Sequence, residues 1–148
     1  MTGTTDSTWV RSFVEEHRYL MLATTDGTRP WVAAVEYLVD EDLTFFFFSK
    51  TDARHSRDIA GNPTIAGTVV ASEQPDYAPD LTEDLNAIQF EGTARRLSEA
   101  EYPEAVAGAI DALDLAMPPY AAYAVVPSRV FVPRIEDGEN VRYEVEIG

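Results

Sequence analysis

The run Ser49-Lys50-Thr51-Asp52-Ala53-Arg54-His55-Ser56-Arg57 gathers three of the chain's eleven Lys and Arg residues, one of its two histidines and three hydroxyl groups. Lys50 is the sole lysine among 148 residues that include 26 Asp and Glu. Arginine presents a planar two-pronged donor, lysine a point charge, and Ser or Thr short hydrogen bonds. That mixture suits a compact dianion such as phosphate. The alternative reading is a solvated helix start whose cations pair with neighbouring acids.

Other chemistries find less material. With no cysteine there is no disulfide, no thiolate nucleophile and no cysteine metal site, and two histidines rarely build a zinc site alone. No Gly-x-Gly-x-x-Gly follows a strand, no Walker-type Gly-Lys-Thr occurs, and no Ser-His-Asp spacing stands out. A net charge of −15 and a pI near 4.3 oppose nucleic acid and anionic membrane as partners, since both demand a positive surface. Ten Arg against one Lys, with abundant Asp, Glu, Thr and Val, resembles the salt-adapted proteins of halophilic archaea. Molar salt there screens self-repulsion over about 3 Å. The N-terminus Met-Thr-Gly-Thr-Thr-Asp-Ser-Thr has neither a basic nor an apolar stretch, and no run approaches a membrane span. A single cytoplasmic domain covering 1–148 is the expectation.

The elements that position the basic run follow from periodicity. Trp9, Val10, Phe13, Val14 and His17 share one helical face opened by Asp6 or Ser7, which makes His17 a core-edge residue. Strands are expected at 19–25 and 31–39 around the Asp26-Gly27 turn, then at 43–49 after Asp40-Glu41-Asp42. The four phenylalanines at 45–48 leave that third strand no polar face, so a barrel interior must cover one side and a helix or second subunit the other. A short helix over 52–60 ends at Gly61-Asn62-Pro63, and its N-terminus adds free amides and positive partial charge to the basic run. Strands at 64–71 and 87–97 flank an acidic loop at 72–85; a helix at 98–113 opens on a Ser98/Glu101 capping box. Met117-Pro118-Pro119 breaks the chain before strands at 120–134, interrupted near Pro127, and 141–147. Six to seven antiparallel strands with about three short helices make a mainly β fold, a closed or split barrel without exposed edges.

This order, with Phe47-Phe48-Ser49, then Ala53-Arg54-His55, then Ile59-Ala60-Gly61-Asn62-Pro63-Thr64-Ile65-Ala66 and Gln89-Phe90-Glu91-Gly92-Thr93-Ala94-Arg95-Arg96-Leu97, resembles the pyridoxamine 5′-phosphate oxidase-like, FMN-binding split-barrel superfamily over roughly residues 9–134. The resemblance implies that FMN is held by the aromatic–hydroxyl pair Phe48 and Ser49 and by Arg54 and His55. His55 stands where lysine is usual, so charge there depends on pH, and Lys50 is the compensating cation. Arg54, Lys50 and Ser49 or Thr51 then hold the phosphate, while the backbone of Ala33, Ala34, Val35 and Glu36 lies along the flavin ring. Gln89 resembles the flavin-contacting glutamine, although it sits closer to the glycine than in the oxidases. Trp31, Tyr37 and Tyr123 are pocket candidates that strands more often place in the core.

The tryptophan and later Arg-x-His of the true oxidases are missing, since the chain runs Phe131-Val132-Pro133-Arg134 into an acidic hairpin. The resemblance therefore implies a flavin-dependent oxidoreductase of unknown substrate rather than a vitamin B6 oxidase. It also implies a homodimer with the cofactor at the subunit interface, where Arg129 and Arg134 are candidates to complete the partner's site. A deazaflavin, haem with His17, His55, Met21 or Met117 as axial ligand, and a non-enzymatic flavin carrier are the alternatives.

Overall fold

The computed structural model describes residues 7–71 and 86–147. The candidate cap Asp6 and the acidic loop at 72–85 lie outside the described residues. Helix α1 (Ser7–Glu16) precedes strands β1 (Tyr19–Thr25), β2 (Pro30–Glu36), β3 (Leu38–Val39) and β4 (Phe45–Lys50). Helix α2 (Arg54–Gly61), β5 (Thr64–Val70), β6 (Ala87–Arg96), a 3-10 turn (Glu99–Glu101), α3 (Glu104–Leu113), β7 (Tyr120–Glu136) and β8 (Glu139–Val145) follow.

All ladders are antiparallel, in the order β2-β1-β5-β6-β7-β4-β3, with β8 also on β7. The two ends of this order, β2 and β3, are consecutive in the chain and separated only by Tyr37. One strand thus leaves β1 and joins β4, bending the sheet into a barrel. The fold is mainly β with three α-helices, and the expected continuous strand at 31–39 is instead two, making eight strands among the described residues. The break has a cause in Tyr37. Its N–H donates to the Arg18 carbonyl, and its buried hydroxyl donates to the Val14 carbonyl in the last turn of α1. Helix ends leave such carbonyls without intrahelical partners.

The expected interruption near Pro127 is a β-bulge in an otherwise continuous β7. Glu91 faces Arg129 but Gly92 faces Pro127, so Ser128 is the extra residue, its hydroxyl donating to the Glu91 carbonyl. A Cβ at Gly92 would stand 2.2 Å from the Val126 carbonyl oxygen, so only glycine admits this close approach. The helix expected at 98–113 is also divided. The Ser98/Glu101 capping box forms, but it caps the 3-10 turn, and α3 begins only after Pro103.

The phenylalanine run is covered on both sides by this chain. Phe45 and Phe47 lie in the barrel core, stacked on Phe90 and Tyr123, and each such burial contributes roughly 1.5–3 kcal/mol. Phe46 and Phe48 pack beneath α3 with Leu97, Val106, Ala122 and Ala124. Helix α3 is the second covering surface, so this strand does not itself call for a second subunit.

Candidate functional site

Helix α2 spans the end of the barrel and contacts a different strand at each turn. The Arg54 guanidinium lies 4.4 Å from the centroid of Trp31 on β2. Asp58, buried, accepts a 2.8 Å hydrogen bond from the buried Thr24 hydroxyl of β1. Beyond the helix, the Pro63 carbonyl accepts from the Ala94 N–H of β6. Its apolar anchor is Ile59, with Ser56 one turn earlier and Asp58 buried beside it.

The start of α2 has the character of an anion receptor. Ala53 occupies the cap position and offers no side-chain acceptor. The amides of Arg54, His55 and Ser56 have no acceptor among the described residues. Ser56 is 2% exposed, and its hydroxyl has no hydrogen-bond partner among the described residues. Buried polar groups normally have one, because an orphan costs about 1–3 kcal/mol. Arg54 and Arg57, three residues apart, share a helix face, and neither has a carboxylate within ion-pair distance among the described residues. They line a groove of about 340 Å³ with Asp26, Asp58 and Gly61. The Asp26 carboxylate is already committed: it accepts from the Thr28 and Arg29 amides, which hold it below the usual carboxylate range.

His55 shares a 2.7 Å hydrogen bond with Ser49 Oγ and tilts against Phe47. Burial pushes its pKa below the ordinary histidine value, partly opposed by the negative charge of Asp58. The imidazole is therefore biased towards the neutral form, unlike the lysine whose place it takes in the resemblance.

The structure joins Ser49 to His55, turns the Arg54 side chain to Trp31 and the groove it shares with Arg57, and leaves Thr51 in the connecting turn, where its N–H donates to the Pro119 carbonyl. Strand alternation turns Phe48 and Lys50 to the opposite face of β4, Phe48 under α3 and the Lys50 ammonium 5.8 Å from the Tyr120 ring centroid. On β2, Val35 enters the core and Ala33 is half-buried, whereas Ala34 and Glu36 are exposed and Glu36 pairs with Arg18. Gln89 belongs to a row Gln89–Thr68–Met21–Ala34 running across β6, β5, β1 and β2 on the outer face. Three strand spacings separate it from Ala34, roughly 14 Å. Of the pocket candidates, Tyr37 and Tyr123 are core, while Trp31 is 41% exposed beside Arg54. Arg129 pairs with Glu144 and Glu91, and Arg134 is buried over Trp9.

Arg57 and Ser56 belong to the basic run read in the sequence, though not to the residues assigned to the cofactor, and the Thr24–Asp58 bond is an addition. A position three residues past Arg54 places Arg57 on the same helix face. The Thr24–Asp58 bond joins positions 34 apart and has no local signal.

The family model described as pyridoxamine 5′-phosphate oxidase matches residues 8–134. No curated protein matches the sequence. Among solved structures, the haem storage protein HutZ from Vibrio cholerae is similar at TM-score 0.64 and 24% identity, over 84% of this chain and 92% of that one. A haem-binding protein from Mycobacterium smegmatis is similar at TM-score 0.68 and 18% identity, over 97% of this chain but 59% of that one. An FAD-binding protein from Mesorhizobium loti gives TM-score 0.62 at 12% identity, over 84% and 91% of the two chains. At these identities the likeness concerns the fold. The family match covers residues 8–134, most of the sequence, from α1 into β7, and with it the barrel strands and α2: the chain belongs to the pyridoxamine 5′-phosphate oxidase family.

Proposed function

We propose that the chain binds FMN, with the phosphate at the start of α2, and acts as a flavin-dependent oxidoreductase other than a pyridoxamine phosphate oxidase. The observation that carries this reading is the uncapped first turn of α2, with unpaired Arg54 and Arg57 and the orphaned Ser56 hydroxyl. These residues fit a phosphate dianion, which supplies acceptors for amides, guanidinium and hydroxyl together. Ser49 and His55 add a hydroxyl and an imidazole from the end of β4 and the helix itself.

The edge of β2 opposite β1 has no ladder partner among the described residues, and its outer face carries Val32, Ala34 and Glu36. Its free amides are donors for the polar edge of a flat ring, and the small Ala33 and Ala34 permit close approach. When bound, the flavin supplies electron-pair transfer between donor and acceptor. Trp31 holds the Arg54 guanidinium against its ring at the groove.

The homodimer belongs to the same proposal. The outer face of β2, β1, β5 and β6 exposes Val32 at 61%, Tyr19 at 52% and Val70 at 39%, beside Ala34, Ala66 and Met21. A second copy seated there would enclose the Gln89 row over the ring.

The test compares FMN with riboflavin, which lacks the phosphate, by calorimetric titration. FMN should bind at least about 100-fold more tightly, equivalent to about 2.7 kcal/mol, and Arg54→Ala should remove most of that difference with the fold intact by circular dichroism. Equal affinities would sink the phosphate assignment.

Haem is the second reading, favoured by the two haem proteins among the similar structures. In this chain His17 packs on Phe13 and Met117 on the α3 cluster, which leaves His55 and Met21 as axial candidates. Ligation through His55 Nε2 would break its bond to Ser49.

A further inference from the structure

A second concavity, of about 500 Å³, lies where the end of β6 and the 3-10 turn meet the start of β7. It is larger than the α2 groove and stands on the other face of β4, the face to which Lys50 rather than Ser49 is turned. Its walls combine the aromatic rings of Tyr102 and Tyr120, the apolar Leu97, Met117 and Pro118, and one guanidinium, Arg96.

Charge decides what such a site accepts. Of the acids on its rim, Glu101 is occupied by Arg95 and by the backbone and hydroxyl of Ser98, which also braces the rim. Among the described residues, the Arg96 guanidinium has no ion-pair partner. Lys50 has no carboxylate partner either, and its ammonium lies over the Tyr120 ring that forms the wall. In a chain with 26 acids against 11 Lys and Arg, one lining cation without a carboxylate partner among the described residues, and a second beside the wall ring, favour an external anion here. Of the two lining acids, Glu99 is the one left to oppose them.

We propose that this pocket is a second binding site, for a small aromatic carboxylate. The carboxylate pairs with Arg96, the ring lies against Tyr102 and Tyr120, and Lys50 adds long-range attraction. The volume falls within the range of small-molecule sites. The site goes beyond the flavin reading and does not depend on it. It touches the flavin site only through backbone, since the Thr51 N–H that opens the turn into α2 donates to the carbonyl of Pro119, next to the pocket.

The experiment is a titration of the full chain with 4-hydroxybenzoate, followed in two-dimensional amide NMR spectra, with cyclohexanol as an uncharged, non-aromatic control. Saturable shifts confined to residues 96–102 and 117–121 are expected. Arg96→Gln should weaken binding at least about tenfold, Lys50→Gln by a few-fold, and Arg54→Gln should leave it unchanged. All three side chains reach solvent, so the variants should fold, which their spectra would verify. No saturable shift, equal binding of cyclohexanol, or full affinity in Arg96→Gln would overturn the proposal. A loss in Arg54→Gln would overturn it too, by assigning the ligand to the α2 groove. Loss of FMN binding in Arg54→Gln with 4-hydroxybenzoate binding intact separates the fate of this proposal from that of the flavin site.

Discussion

His55 is the residue at which this chain departs most informatively from the pattern it resembles. Its pKa is lowered by burial, so the folded state holds fewer protons there than the unfolded chain. The stability tied to the neutral ring is therefore present above the ordinary histidine value of about 6.5 and is lost as pH falls through the folded value. Thermal melts from pH 8 to 5 should show a steeper acid-side decline in the apo wild type than in His55→Gln; parallel profiles would contradict the assignment. A phosphate at α2 would oppose the trend by favouring the imidazolium. The Ser49–His55 contact was legible because a strand end and a helix start are adjacent in sequence, so local spacing places them together. Lys50 and Phe48 show the limit of that logic. They are as close in sequence, but the period of two in β4 turns them to the opposite face.

Among the elements, the β2–β3 break was hidden for a related reason. Residues 31–39 read as one strand throughout, and tertiary bonds from Tyr37 to Val14 of α1 and to Arg18 beyond it divide them. Tyr37→Phe keeps the ring and deletes the hydroxyl bond to Val14, leaving the helix carbonyl unsatisfied in a buried place. A loss of about 1–3 kcal/mol in urea unfolding is expected, with an unchanged dependence on denaturant. A neutral substitution would show that the hydroxyl does not pin the strand to the helix. Burial of the tyrosine raises its own pKa, so this bond remains intact through the alkaline range in which exposed phenols ionise. The division of the 98–113 segment, by contrast, was written in the sequence: Pro103 disfavours helix in the residue before it.

For the whole molecule, the antiparallel order follows from alternation and turn chemistry, whereas the eighth strand and closure of the barrel rest on Tyr37 and the cover over the phenylalanine strand on α3. No helix among the described residues is long and apolar enough to cross a membrane. The −15 charge acts at this scale through self-repulsion. Raising KCl from about 0.1 to 2 M shortens the screening length from about 10 Å to below 3 Å. The melting temperature should rise by several degrees, and a fall would contradict a repulsion-limited fold. The central claim is that the start of α2 holds a flavin phosphate. Its most direct test is the visible absorption spectrum of the protein purified at high salt, with mass analysis of the released chromophore. A two-band flavin spectrum with FMN released is the predicted result; a haem spectrum, or a colourless protein that takes up no added FMN, would contradict it.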